Sequence, residues 1–125
     1  MKRISILLLI LFTFLVSTAW PQAQAQWRHH KIITYDAPGA GTGAGQGTQA
    51  PGINPAGAIT GFYWDDLSVA HGFVRDPWGN IITFDAPGAG AGPFQGTIPR
   101  CNNALDAITG YYVDAGGVNH GFLRS

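Results

Sequence analysis

Histidine and carboxylate side chains move protons, and in this chain they come in matched pairs: His71 with His120, Asp36 with Asp85, and Asp65 with Asp114, each 49 residues apart. Arg75 and Arg124 share that interval. A histidine beside an aspartate can act as a general base, and a guanidinium can hold an anionic group. An active site, however, needs one asymmetric convergence of nucleophile, base and stabiliser. Groups that recur at a constant interval serve every structural unit alike. The spacing therefore assigns these eight residues to the scaffold. The histidines are expected to bond strand-end carbonyls, the aspartates to cap turns, and the arginines to pair with aspartates across strands. No catalytic residue is assigned.

Aromatic side chains supply a second chemistry. Trp64, Trp78, Tyr63 and Tyr112 could stack on sugar rings if exposed, which makes carbohydrate the expected small ligand. The competing expectation is that they fill the interior between units, as large aromatics commonly do. Metal and nucleotide chemistry find no support. His29, His30 and His71 do not make a set of four ligands with zinc-like spacing. The chain contains no glutamate, so Asp65-Asp66 and Asp76 to Asn80 lack the terminal ligand of an EF-hand loop. Gly39 to Gly45 lacks the helix and lysine of a phosphate loop. No cofactor is expected.

The elements that must position these residues are announced by the repeat itself. Ile32 to Ala40 returns as Ile81 to Ala89, Ala58 to Gly61 as Ala107 to Gly110, and His71-Gly72-Phe73 as His120-Gly121-Phe122. Of the 45 positions from Ile32 to Asp76, 25 match their partners in Ile81 to Ser125. A period of this size signals stacked supersecondary units. Each unit reads as four short strands, in the first copy Lys31–Asp36, Thr48–Asn54, Ala58–Asp65 and His71–Arg75, separated by Pro, Gly, Asn and Asp turns. In Ala58–Asp65, Ile59, Gly61 and Tyr63 fall on one face and Thr60, Phe62 and Trp64 on the other. Both faces carry large apolar groups, so this strand is expected to lie between two layers. The fold expected is all-β: two tandem repeats of short antiparallel strands, propeller-blade-like, with repeat one at 27–75 and repeat two at 76–124.

At these residues the chain resembles the bacterial extracellular repeats called the HAF family. The resemblance is carried by Gly52-Ile53-Asn54, Ile59-x-Gly61-x-Tyr63, His71-Gly72-Phe73-x-Arg75 and Thr83-Phe84-Asp85-x-Pro87-Gly88-Ala89. The family's His-Ala-Phe is His-Gly-Phe in both copies here, and Gly52 to Gly57 becomes Cys101 to Asp106 in the second. The resemblance implies an exported protein of tandem β-rich units without an assigned activity.

Export has its own signal. Lys2-Arg3, the apolar run Ile4 to Val16 and Ala23-Gln24-Ala25 make a signal peptide over 1–25, with cleavage after Ala25. That expectation places the mature β domain at 26–125, secreted or periplasmic and free of the membrane. Over 26–125, Arg28, Lys31, Arg75, Arg100 and Arg124 face seven aspartates, so 5 − 7 leaves a net charge of −2. Such a balance lacks the basic footprint of a nucleic-acid binder. Cys101 stands alone, so no disulfide forms within one chain. Two function classes fit: an exported structural or binding module, with carbohydrate or protein as ligand, and a propeller-type hydrolase or lyase acting on extracellular carbohydrate. The matched pairing of the polar groups favours the first. Two units leave apolar faces and strand edges uncovered, so self-association is expected as well.

Overall fold

Short runs of β-branched and aromatic residues, punctuated by Asp, Asn and Gly turns, resolve into seven strands in the computed structural model, which describes residues 31–125. The expected signal peptide over 1–25, and Trp27, His29 and His30, lie outside the described residues. The strands are β1 (Gly47–Ile53), β2 (Ile59–Trp64), β3 (Ala70–Arg75), β4 (Ile81–Phe84), β5 (Gly96–Asn102), β6 (Ile108–Val113) and β7 (Asn119–Arg124). The described residues contain no helix. The protein is all-β, as its periodicity implies, and residues 33–125 form one unit.

Antiparallel pairing runs β1 to β2, β2 to β3 and β3 to β4, which makes a four-stranded meander. The same order recurs as β5 to β6 and β6 to β7. The hydrogen-bonded sheet is thus out of phase with the sequence repeat. β4 opens the second copy in sequence but completes the sheet of the first, with Phe84 opposite Gly72 and Ile82 opposite Val74. The expected strand at Lys31–Asp36 is not one. Residues 31–36 have no strand pairing among the described residues, because the sheet edge that β4 finds on β3 has no counterpart for them.

β2 is buried on both faces, which explains its apolar character throughout. On one face Tyr63 and Phe73 pack with Ala37, and Tyr35, Ala40 and Ile59 close around them. On the other, Phe62, Ala70 and Ile98 meet, flanked by Trp64, Tyr111 and Val113. The glycine-rich stretch that covers the first face is held by repeated side chains. Thr48 Oγ1 accepts from the Ala37 amide and Thr97 Oγ1 from the Ala86 amide, each at 2.9 Å. Gln46 Oε1 accepts from Gly43 N while its Nε2 donates to Asp66 O, and Gln95 repeats both bonds with Gly92 and Ala115.

The second meander joins the first through a single ladder pair on the β3 edge, within one seven-stranded sheet. Ala70 pairs in parallel with Gly96, Ala70 N donates to Gln95 O at 2.8 Å, and Phe94 N donates to Ser68 O at 2.7 Å. β5 touches β1, β2 and β3 alike, so the sheet curls there instead of continuing flat. Gly96 has φ +110°, and a Cβ on it would collide with the Ala70 backbone. Elsewhere the copies trade glycine for a side chain at positive φ: Ser68 (φ 60°) stands where copy two has Gly117, and Asp106 (φ 62°) where copy one has Gly57. The Asn103 turn therefore survives its altered sequence, with Asp106 N donating to Asn103 O at 3.1 Å. Gly96→Ala combines backbone strain with a backbone collision, and is expected to lose about 3 kcal/mol of stability in urea melts. A loss below about 1 kcal/mol would show that the joint is not built on this close approach.

Candidate functional site

The β2–β3 turn is an Asx turn made by Asp65, whose Oδ1 accepts from the amides of Leu67 and Val69 at 2.9 and 2.8 Å. Its other oxygen lies 3.4 Å from His71 Nε2, and His71 Nδ1 lies 3.0 Å from both oxygens of Asp85. Asp85 directly follows β4, so the pairing of β4 with β3 delivers it. Tyr63, opposite His71 in the ladder, stacks its ring on the imidazole at 5.2 Å and 29°. His71 is therefore held on three sides. Both ring nitrogens face carboxylates, whereas a general base must keep a nitrogen within hydrogen-bond reach of the proton it takes. The bonds go to carboxylates and not to the strand-end carbonyls expected from sequence, because β2–β3 turn and β4 strand together bring acidic groups to both ends of the ring.

Copy two rebuilds half of this arrangement. Asp114 Oδ1 accepts from the amides of Gly116 and Val118, its Oδ2 lies 2.9 Å from His120 Nε2, and Tyr112 stacks on His120 at 4.9 Å and 22°. His120 Nδ1 has no carboxylate partner among the described residues. Asp36, the counterpart of Asp85, makes no hydrogen bond among them either. The arginines also depart from expectation. Arg75 lies over the Tyr35 ring at 4.8 Å and Arg124 over Phe84 at 4.7 Å, each against an aromatic face and not an aspartate. A guanidinium over an aromatic face is attracted by the negative π-cloud, so these contacts are favourable in their own right.

Three aspartates sit below the usual carboxylate range. Partial burial pushes Asp65 up, but the Val69 and Leu67 amides and the His71 ring outweigh it. Asp76 is lowered first by the Asn80 side-chain amide, whose Nδ2 donates at 2.6 Å. Asp114 is lowered by the Val118 amide and then by His120. Burial moves Tyr63 upward, reinforced by the charges of Asp85 and Asp65.

At the opposite end of the strands three turns surround a cleft of about 490 Å³. It is lined by Ala56 and Ala58, by Val74, Pro77, Trp78 and Ile82, and by Asn102, Asp106, Ile108 and Arg124. Trp78 is 86% exposed. Its turn is made by Asp76, whose Oδ1 accepts from the amides of Trp78 and Asn80. Asn54 is buried and reaches across to copy two, donating to Asn103 O at 3.1 Å and to Asp106 Oδ1, on the cleft wall, at 2.9 Å. Asn102 returns the link by donating to Ala58 O at 3.1 Å.

Of the four candidate stacking residues, only Trp78 stands open to a ligand. Tyr63 is buried against Phe73 and His71, and Trp64 packs edge-on to Phe62 and Phe94. Tyr112 is half-buried under its stack with His120. The linking residues Asn54, Asn102 and Asp106 escape a repeat-based reading, since Asn102 and Asp106 are places where copy two departs from copy one. That departure was their signal: they replace Ile53 and Gly57 where the two copies touch. Comparison with models of known protein families, with curated proteins and with solved structures finds no match.

His71→Ala removes two carboxylate contacts and a stack, whereas His120→Ala removes one contact and a stack. The expected losses are about 1–2 kcal/mol for His71 and under about 1 kcal/mol for the more exposed His120. Urea melts in which the two variants match would contradict the asymmetry. Asp65, Asp76 and Asp114 bind a proton less readily folded than unfolded. Their contribution is complete above the unfolded carboxylate pKa of about 4 and fades as pH falls through their folded values. Urea midpoints should therefore decline below about pH 4, with a shallower decline in Asp65→Asn.

Proposed function

We propose that this chain is an exported extracellular repeat protein that works as a binding module, with the Trp78 cleft as its carbohydrate site. The observation that carries the reading is a division of labour. The repeated polar residues His71, Asp65, Asp85, His120 and Asp114 are occupied with one another and with turn amides. The exposed Trp78, by contrast, has no counterpart at the matching position, where His29 stands. Its indole offers an apolar face at the mouth of the cleft, and Asp106, Asn102 and Arg124 lie around it. An exposed ring with a polar rim suits the apolar face and the hydroxyls of a sugar. Membership in the HAF repeats and delivery by the peptide over 1–25 belong to the same proposal, supported by the motifs and by the run Ile4 to Val16 before Ala23-Gln24-Ala25.

Titration with cello-, chito- and manno-oligosaccharides, followed by tryptophan fluorescence, tests the site. At least one series should give a saturable change that Trp78→Ala abolishes while leaving the urea midpoint within about 0.5 kcal/mol of the parent. A saturable change that persists in Trp78→Ala, or no change with any of the three series, would overturn it.

A further inference from the structure

Three features of the outer surfaces are unfinished in the same way. The first is a strand edge. β4, Ile81-Ile82-Thr83-Phe84, covers the edge of β3, and β7 occupies the position of β3 in copy two. Among the described residues, β7 pairs only with β6. Ile33-Thr34-Tyr35 matches Ile82-Thr83-Phe84 and has no strand partner among the described residues, with Ile33 63% exposed. Tyr35 is nonetheless in place: it packs edge-on to Phe73 at 6.2 Å, as Phe84 packs on Phe122 at the same distance. A strand and a matching vacancy are present on different sides of one chain.

The second feature is a pair of glycines that are crowded in one copy and uncrowded in the other. Gly72 is crowded, since a Cβ there would lie 2.9 Å from the Phe84 ring and from Pro99. Gly121, its counterpart, has only Gly110 O at 4.0 Å. Gly96 is pressed against Ala70, yet its counterpart Gly47 keeps φ +99° with only Gly41 O at 3.8 Å nearby. Gly72 is crowded by the following copy and Gly96 by the preceding one, so in each case the other copy supplies the crowding. The same residue type waits at Gly121 and Gly47 with nothing described against it. The third feature is ionic. His71 Nδ1 is met by Asp85 from the neighbouring copy, while His120 Nδ1 and Asp36 each lack that partner among the described residues.

We infer that a second copy of this chain docks head to tail on β7, its residues 33–35 adding as an antiparallel strand. Shifting the β3–β4 register by the repeat sets Ile33 opposite Leu123, Thr34 opposite Phe122 and Tyr35 opposite Gly121. The second copy's Asp36 then meets His120 Nδ1, and its Gly47 meets Asn119 as Gly96 meets Ala70. Strand addition of this kind draws its affinity from main-chain hydrogen bonds. The arrangement is heterologous, so it generates a ring or an open run of copies. Two substitutions set its strength. Ala70 and Ile98 are apolar at the internal joint, but their counterparts at the outer one are Asn119 and Gln49, both exposed. The outer joint is thereby weaker than the internal one, and association is reversible.

Sedimentation of the purified full chain between 1 and 100 µM should show mass rising with concentration; a monomer throughout overturns the proposal. In a Cys101→Ser background, Ile33→Cys with Leu123→Cys places two thiols in the predicted register, within the span of a disulfide. Mild oxidation should link chains through these positions, and much less through the one-residue slip Thr34→Cys with Leu123→Cys. Equal linking in both, or none in either, overturns the register. Because neither cysteine pair touches the core of one chain, the circular dichroism of each reduced variant should match the parent. Asp36→Asn should weaken association up to about fivefold, and an unchanged dissociation constant overturns the role of Asp36.

Discussion

The hydrogen bonding of β4 to β3 is the constraint on which the rest depends. A three-stranded meander leaves one long edge open, and that edge is filled by the first strand of the following copy. The chain must then turn back from β4 to start β5, which brings Gly96 against Ala70 at the same edge of β3. The close approach requires a residue without a side chain, and Gly96 supplies it. From this joint follow the curl of the sheet, the contact of Ile98 with Phe62 and Ala70, and the delivery of Asp85 to His71. Sheet, core and polar cluster are three results of one strand crossing from copy to copy.

The histidine cluster shows how residue types capable of catalysis can be spent on structure. A histidine between two carboxylates resembles the start of a proton relay, and in isolation the distances around His71 would suit one. What decides against that role is where the remaining atoms point. Asp65 spends one oxygen on two turn amides, Tyr63 covers the ring face, and Asp85 takes the second nitrogen. The cluster ties the turn, two strands and the incoming β4 together at one end of the sheet. At the other end, Asn54 ties the copies together through Asp106 and Asn103, and Asn102 through Ala58, with Asn102 and Asp106 on the wall of the Trp78 cleft.

Much of this was legible before any coordinates. The all-β class, the two-sided burial of β2 and the turn positions follow from alternation and from Gly, Pro, Asn and Asp placement. Of the eight repeated polar residues, His71, Asp65 and Asp85 meet in space, a convergence that the sequence reading did not anticipate. Two further things were hidden. Strand pairing is long-range, so a repeat read linearly cannot reveal that the sheet is phase-shifted and that residues 31–36 lack the edge that β4 enjoys. Ranking side chains by chemistry also passed over Gln46, Gln95, Thr48 and Thr97. They were marked by nothing but exact recurrence inside a glycine-rich stretch, yet they hold that stretch over the core.

The departures between copies separate what the fold requires from what the position in the array requires. Positions identical in both copies, such as Tyr63 and Tyr112 or Thr48 and Thr97, serve contacts within a unit, and those contacts recur in both. Positions that differ cluster where one unit meets another: Ile98 against Gln49, Ala70 against Asn119, Asn102 against Ile53. The inner joint received the apolar or cross-linking member of each pair, and the outer faces the polar or unlinked one. At these three positions the difference between the copies coincides with a contact that is made at the inner joint and has no described counterpart outside it. Trp78 fits the same logic, standing in the one turn that lies between the copies and beside the joint that holds them.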